Sequence, residues 1–333
     1  MKVLHVTESF GGGTQTAIRT FAGHSSQIRH TVLGRARSGE DTGGLDVGVE
    51  QISHDGGLPS LILRVRREAP KFDVVHLHSS MAGLARASLP PRTRIVYSPH
   101  CYAFERTDLP RPLRVILRLT EWILGRRPQT VAAVSPSELD AARKLVGRQS
   151  TVQLIPNVST LDLPAASSER RGIVTCGRIG KQKDPEYFRQ FVKDLSTSTQ
   201  IVWIGDGDEE ARERLLEAGV RVTGWLDARG VREAVLAAEL YVHSAAWESS
   251  PYALLDAARA GTPVIARDIP SLSSLGYFTV MGGPSELAAA VDQFLEGGPI
   301  RDRVTSATAD VDDRHTSAHL TSALDQLYKE VSP

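Results

Sequence analysis

Glu248 and Asp256 stand eight positions apart in AAWESSPYALLDAARAGTPVIA, residues 245–266. A strand-like run, LYVHSA, precedes them, and a strong helix former, YALLDAARA, carries the second acid. Ser249 and Ser250 have the side chains of helix N-caps, and Pro251 suits a first helical position. Gly261 and then Pro263 mark the stop. The first amides of a helix lack internal partners and carry the positive end of its dipole, so residues 249–252 offer a place for a phosphate. Carboxylates accept from vicinal hydroxyls. Glu248 before the helix and Asp256 about 7–8 Å along it would then take sugar and ribose hydroxyls on the two sides of a diphosphate. In the plainer reading Asp256 pairs with Arg259 and Glu248 is solvated, and spacing alone favours that reading.

These residues need elements to hold them. The 333 residues suit one large or two medium domains. KVLHVT, DVVHLHS and RIVYSPH read as buried strands, and helix patterns alternate with them, as in a parallel α/β fold. Pro156, Asn157, Pro164 and a Ser/Ala-rich run then break the pattern. It restarts with GIVTCGRI, QIVWIGDG, RVTGWL, LYVHSA and PVIARD, separated by helices near 185–195, 208–218 and 229–238. The reading is two Rossmann-like parallel-sheet domains, 1–165 and 166–315, facing a central cleft. Leu320, Leu324, Leu327 and Val331 have helical spacing, and the C-terminal helix, 316–333, packs back on the first domain. Open parallel sheets bind ligands beyond the carboxyl ends of their strands.

No apolar run is long enough to span a membrane, and the broken start, MKVLHVTESF, reads as a strand and not a signal peptide. Two cysteines, Cys101 and Cys176, give neither a disulfide framework nor metal spacing. The expected setting is cytoplasmic. Net charge is zero, but residues 1–165 hold 21 Lys and Arg against 14 Asp and Glu, a surplus of +7, and the remainder 18 against 25, or −7. That asymmetry points to an anionic partner for the first half, with two ordinary soluble surfaces as the alternative. Gly11-Gly12-Gly13 permits close backbone approach at a helix start. It is not a G-x-G-x-x-G fingerprint, which disfavours a dinucleotide site. Nothing in the sequence is read as demanding a metal.

ESSPYALLDAARAGTPVIARDIPSL closely resembles the E-x7-E region of the retaining glycosyltransferases of family four, which have the GT-B fold. VLHVTESFGGGTQTAI, DVVHLHSS, SPHCYAFERTD, VAAVSPSELDAARKL, CGRIGKQKDPEYF and VWIGDGDE resemble further segments of that family, in the expected order over nearly the whole chain. The resemblance implies transfer of a sugar from a nucleotide sugar to a glycan or lipid-linked acceptor, a hexosyltransferase with retention at the anomeric carbon and no metal or other cofactor. It implies catalytic positions at His100 and Glu248. Arg178 and Lys183, with the helix start Ser249, Ser250, Pro251 and Tyr252, would hold the donor diphosphate, and Asp256 the ribose. Asp256 departs from the family's second Glu by one methylene. Gly11, Gly12 and Gly13 would face donor phosphates and acceptor, and Glu105 and Arg106 the acceptor. Asn157, in IPNV, departs from Pro-Asn-Gly at Val158.

In RPLRVILRLTEWILGRR, residues 111–127, Arg111, Arg114 and Arg118 share one helical face, and Leu113, Ile116, Leu117 and Leu124 another, near Trp122. Such a helix suits an anionic membrane surface, which would put the enzyme at the inner face of the membrane as a peripheral protein. The alternative is a helix packed on its own sheet with its arginines in water. Nucleic acid is not an expected partner. Two other functions fit the same fold: a nucleotide-sugar epimerase, and a non-catalytic scaffold that binds nucleotide sugar or glycan. The basic helix and SPHCYAFER favour transfer.

Overall fold

The computed structural model describes residues 1–36, 49–161 and 170–332. Pro164 and the Ser/Ala-rich run of the expected linker lie outside them. The chain divides into two units. The first is Met1–Val158 joined by the helix Ser317–Glu330, and the second is Ser159–Thr316. The boundary falls seven residues before the one read from the sequence. Ser159 and Thr160 go with the second unit because both bond to Asp256.

The first unit is built on seven strands: β1 (Lys2–Phe10), β2 (Arg29–Ala36), β3 (Glu50–Ser53), β4 (Val74–His78), β5 (Arg94–Ser98), β6 (Thr130–Ala133) and β7 (Thr151–Leu154). Their order is β3-β2-β1-β4-β5-β6-β7, every pair parallel. A parallel sheet is covered on both faces, so its strands read as continuous apolar runs. One face packs Leu4, Val6, Val75, Leu77 and Tyr97 against the helix Leu58–Glu68 and its neighbours. The other packs Val3, Val74 and Val96 against Phe21 of the helix Gly12–Gly23 and against Leu320, Leu324, Leu327 and Tyr328 of the C-terminal helix.

The second unit repeats the plan with β8 (Ile173–Cys176), β9 (Ile201–Ile204), β10 (Arg221–Val222), β11 (Leu240–His243), β12 (Val264–Arg267) and β13 (Phe278–Val280). Their order is β10-β9-β8-β11-β12-β13, again all parallel. The helices Pro185–Asp194, Glu209–Glu217 and Ala228–Ala237 fall where the sequence pattern puts them. Trp203 and Phe188, edge to face at 5.1 Å, centre one core layer.

Strand order reverses between β1 and β4 in the first unit and between β8 and β11 in the second. At such a point the crossovers leave the sheet in opposite directions and open a crevice at the carboxyl ends. Residues after those strands are therefore placed for ligands.

Candidate active site

In the second unit, β8 ends at Cys176 and the chain turns through Gly177 at φ +143°. A Cβ there would lie 2.6 Å from Lys183 Cε, so the turn and the lysine share one space. Gly205, at the end of β9, is as tightly placed, since a Cβ would stand 2.3 Å from the Gly177 carbonyl oxygen. The loop then returns to a helix capped by Asp184, whose carboxylate accepts from the Tyr187 amide at 3.2 Å and pairs with Arg267 at 2.8 Å. The loop after β11 runs alongside. Ser244 Oγ donates to the Lys183 carbonyl at 2.6 Å, and the Ala246 amide to that of Gln182 at 2.9 Å.

The two loops bring Lys183 Nζ within 2.5 Å of Glu248 Oε1, both side chains nearly buried. His243 Nε2 stands 3.7 Å from the same oxygen, beyond hydrogen-bond distance. Burial alone would raise the Glu248 pKa. The Lys183 cation outweighs it, His243 adds to the effect, and the carboxyl falls to about 2. Burial, with Lys183 beside it, takes His243 down to about 4. The site therefore holds an ionised carboxylate, an ammonium and a neutral imidazole. An ammonium has three donors; Glu248 engages one. Arg178, two residues past β8, is exposed.

The helix after Glu248 starts one residue later than the sequence suggests. Pro251 is its N-cap and Tyr252–Arg259 its body, with no side-chain cap. Ser249 and Ser250 precede the cap and are buried. Proline can take this place because its extended backbone, φ −73° and ψ 126°, fits the half-in cap residue. Asp256 does not pair with Arg259, which meets Asp312 at 3.3 Å. Its Oδ1 instead accepts from Ser159 Oγ at 2.7 Å and the Thr160 amide at 2.8 Å, and Oδ2 from Thr160 Oγ1 at 3.1 Å. Burial nevertheless leaves its pKa raised.

In the first unit, Gly11 follows β1 directly and Gly12, at φ +54°, opens the helix Gly12–Gly23 without a side-chain cap. Gly11 is buried, and Gly12 and Gly13 are exposed. Ser79 after β4 and His100 after β5 both have left-handed backbones, φ +87° and +50°, as does Cys101 at +82°. Such conformations cost non-glycine residues free energy and mark places where surroundings overrule local preference. Here the surroundings are named groups. Ser79 Oγ donates to Glu8 Oε2 at 2.5 Å, and the Cys101 amide donates to buried Glu138 at 2.8 Å. The sequence reading missed Glu138; its signal is the Ser-x-x-Glu pattern of SPSEL. It also passed over His243, visible only as the last residue of a strand.

Glu105 lines a groove of about 610 Å³ with Arg111, Arg114, Arg118 and Lys144. Arg106 points its charge elsewhere, in a two-pronged contact with Asp108 at 3.1 and 2.8 Å. Burial, then the neighbouring Glu138 charge, raises the Glu105 carboxyl from 4.5 to about 7. The folded state thus keeps a proton on Glu105 between about pH 4.5 and 7, where the unfolded chain has released it. Stability from this group is full below that window and is lost as pH rises through it. Glu105→Gln should remove that loss. Unfolding free energies of the two proteins, measured by denaturant titration from pH 4.5 to 8, should converge or cross as pH rises in the variant's favour; parallel profiles would contradict the assignment.

Known proteins bear on this arrangement. Residues 11–162 match the family model described as Glycosyltransferase Family 4, and residues 170–297 the one described as Glycosyl transferases group 1. The chain is 25% identical over 296 residues to an uncharacterized 41.2 kDa protein in the cps region of Klebsiella pneumoniae, covering 82% of each. It is also 25% identical over 303 residues to a phosphatidyl-myo-inositol mannosyltransferase of Mycobacterium leprae, covering 82% of this chain and 78% of that one. Its fold is similar to that of Anabaena HepE, solved in complex with UDP and glucose, at a TM-score of 0.76 and 16% identity over 99% of this chain and 98% of that one. Matched along both of its units, the chain belongs to the family-four-type glycosyltransferases of the GT-B fold.

Proposed function

We propose that this glycosyltransferase moves a hexose from a nucleotide-sugar donor to a glycan or lipid-linked acceptor, with retention at the anomeric carbon and without a metal. The observation that carries this is the Lys183–Glu248 pair at the turn-around of the second sheet. Bond cleavage at the sugar leaves negative charge on a diphosphate. Lys183, with two donors to spare, and the exposed guanidinium of Arg178 supply the fixed positive charge that stabilises it. The start of the helix Tyr252–Arg259 adds the positive end of its dipole. Glu248, held ionised, accepts from sugar hydroxyls and stays a carboxylate throughout. Asp256 keeps a lone pair of Oδ2 for ribose beside its bond from Thr160 Oγ1, while Oδ1 serves Ser159 and the Thr160 amide. The HepE complex with UDP and glucose supports a nucleotide-sugar donor, on the strength of a shared fold.

On the acceptor side, His100 and Glu105 follow β5. A lipid-linked acceptor is supported by the M. leprae relative, whose name gives a phosphatidyl-inositol substrate, and by the helix Arg111–Leu124. That helix buries only Glu121, which meets Arg86 Nη2 at 2.6 Å and the Tyr97 hydroxyl at 2.8 Å. Leu117 packs against the core, but Val115, Ile116 and Ile123 are 66%, 58% and 56% exposed, so most of the helix's apolar side chains face outward. This fits a surface helix seated in an anionic membrane, the inner face of the bacterial-type membrane being the proposed place. No helix among the described residues is long and apolar enough to cross one.

Glu248→Ala and Arg178→Ala should each lower kcat for sugar transfer by about 10²–10³-fold with the protein still folded by circular dichroism; full activity in either would refute the site. In flotation with phosphatidylglycerol vesicles, Ile116→Asp with Ile123→Asp should abolish the binding seen in the unmodified protein, and raised salt should weaken that binding. Equal flotation of both proteins would refute the membrane role of this helix.

A further inference from the structure

Five histidines are packed inside the first unit, and four of them are joined end to end. His100 Nε2 lies 2.9 Å from His78 Nδ1, His78 Nε2 lies 2.9 Å from His5 Nδ1, and His5 Nε2 lies 2.9 Å from His30 Nδ1. His30 Nε2 then faces Ser25, 3.2 Å from its carbonyl oxygen and 3.0 Å from its hydroxyl. Every link joins an Nε2 to an Nδ1. A neutral imidazole has one N–H and one bare nitrogen, so the proton position on one ring dictates those on all four.

Ser25 sets it. A carbonyl oxygen can only accept, so His30 Nε2 must carry the proton. The Ser25 hydroxyl donates to the Phe21 carbonyl at 2.5 Å and so turns its lone pairs, not its proton, to His30. His30 Nδ1 is then bare and receives a proton from His5 Nε2. His5 Nδ1 receives from His78 Nε2, and His78 Nδ1 from His100 Nε2. The opposite polarity would set a lone pair of His30 against the Ser25 carbonyl and take the hydroxyl from Phe21. Neutrality of the rings is supported by burial, which holds His5 and His78 well below the usual histidine range and His100 at about 4.

His5, His76 and His78 also bring ring nitrogens within 4.8 Å of one another, a spacing compatible with a metal. The rings of His76 and His78 are stacked at 4.1 Å, 25° from parallel. Lone pairs lie in the ring planes, so stacked rings do not aim them at one point. Both nitrogens of His5 and of His78 are already engaged in the chain, and His76 Nε2 meets Ser98 Oγ at 2.9 Å. Hydrogen bonding accounts for the cluster better than a metal does.

We propose that His78, His5 and His30 are positioning residues that lock His100 in its Nε2–H tautomer and so commit His100 Nδ1 to accept a hydrogen bond from a hydroxyl of the sugar substrate. The hydroxyl partner rests on the transferase reading above; the tautomer does not. The held backbone turn at His100–Cys101 fixes the ring's origin, and the chain fixes its proton.

Protein labelled with 15N-histidine tests this directly, because long-range 1H–15N spectra separate bare from protonated ring nitrogens. Single substitutions assign the signals. The unmodified protein should show one tautomer, Nε2–H, at His100, His78, His5 and His30. An Nδ1–H tautomer at His100, or a mixture, would overturn the proposal. Ser25→Ala keeps the carbonyl and should leave the tautomers unchanged; a switch to Nδ1–H at His30 with His100 still Nε2–H would overturn the chain. His30→Phe removes the anchor, so His100 should lose its single tautomer and kcat should fall with donor KM unchanged. Retention of the single tautomer in a folded His30→Phe protein would count against the chain, and if that variant does not fold, the first two spectra decide. A locked tautomer in a protein that transfers no sugar would sink the transferase reading and leave the chain standing.

Discussion

A parallel sheet buried on both faces leaves polar side chains two places to go. They can stand beyond the strand ends, where the crevice of a reversed strand order opens, or inside, where they must satisfy one another. The second unit uses the first option. Lys183 and Glu248 come from the loops after β8 and β11, the two strands flanking the reversal, and tight turns at Gly177 and Gly205 let those loops close on each other. The first unit uses both. Its glycine turn, Ser79 and His100 stand at strand ends, while His5, His30, His76 and His78 lie within the sheet and pair with each other, Ser25, Ser98 and Tyr328.

The same constraint explains the electrostatics. A nearly buried Lys–Glu pair contributes little net stability, since desolvation offsets most of the attraction. What it provides is a carboxylate that cannot take up a proton near neutrality and a cation already free of bulk water. Both are positioned before a ligand arrives, so in the proposed reaction little reorganisation is needed when charge develops on a departing diphosphate. Glu105 shows the reverse case. Burial and the nearby Glu138 charge outweigh Arg114 there, and the carboxyl is pushed up to about 7.

Much of the fold was legible in the sequence. The two-sheet architecture came from alternation of element types, while Glu248, Lys183, Arg178 and His100 were singled out by resemblance to family segments, and each lies beyond a strand end. The helix after Glu248 slipped by one residue because serine, the better cap by side chain, competed with the backbone geometry of Pro251. Asp256 was read for ribose without sight of Ser159 and Thr160, nearly a hundred positions away. The helix 111–124 had the right periodicity, but periodicity cannot say which face turns outward. The histidine cluster was invisible because it depends on register: only the pairing of β1 with β4 sets His5 beside His76, and only the fold brings residues 25 to 100 to one point.

The central claim is that the Lys183–Glu248 site with Arg178 holds a nucleoside diphosphate. The direct measurement is the shift in melting temperature with a panel of nucleoside diphosphates and nucleotide sugars, in metal-free buffer, for the unmodified protein and Arg178→Ala. Ligand that binds only the folded state raises the midpoint, and exposed Arg178 can be removed without disturbing a core. The account predicts a rise with at least one nucleoside diphosphate that shrinks or vanishes in Arg178→Ala. No rise with any ligand of the panel, or the same rise in both proteins, would contradict it.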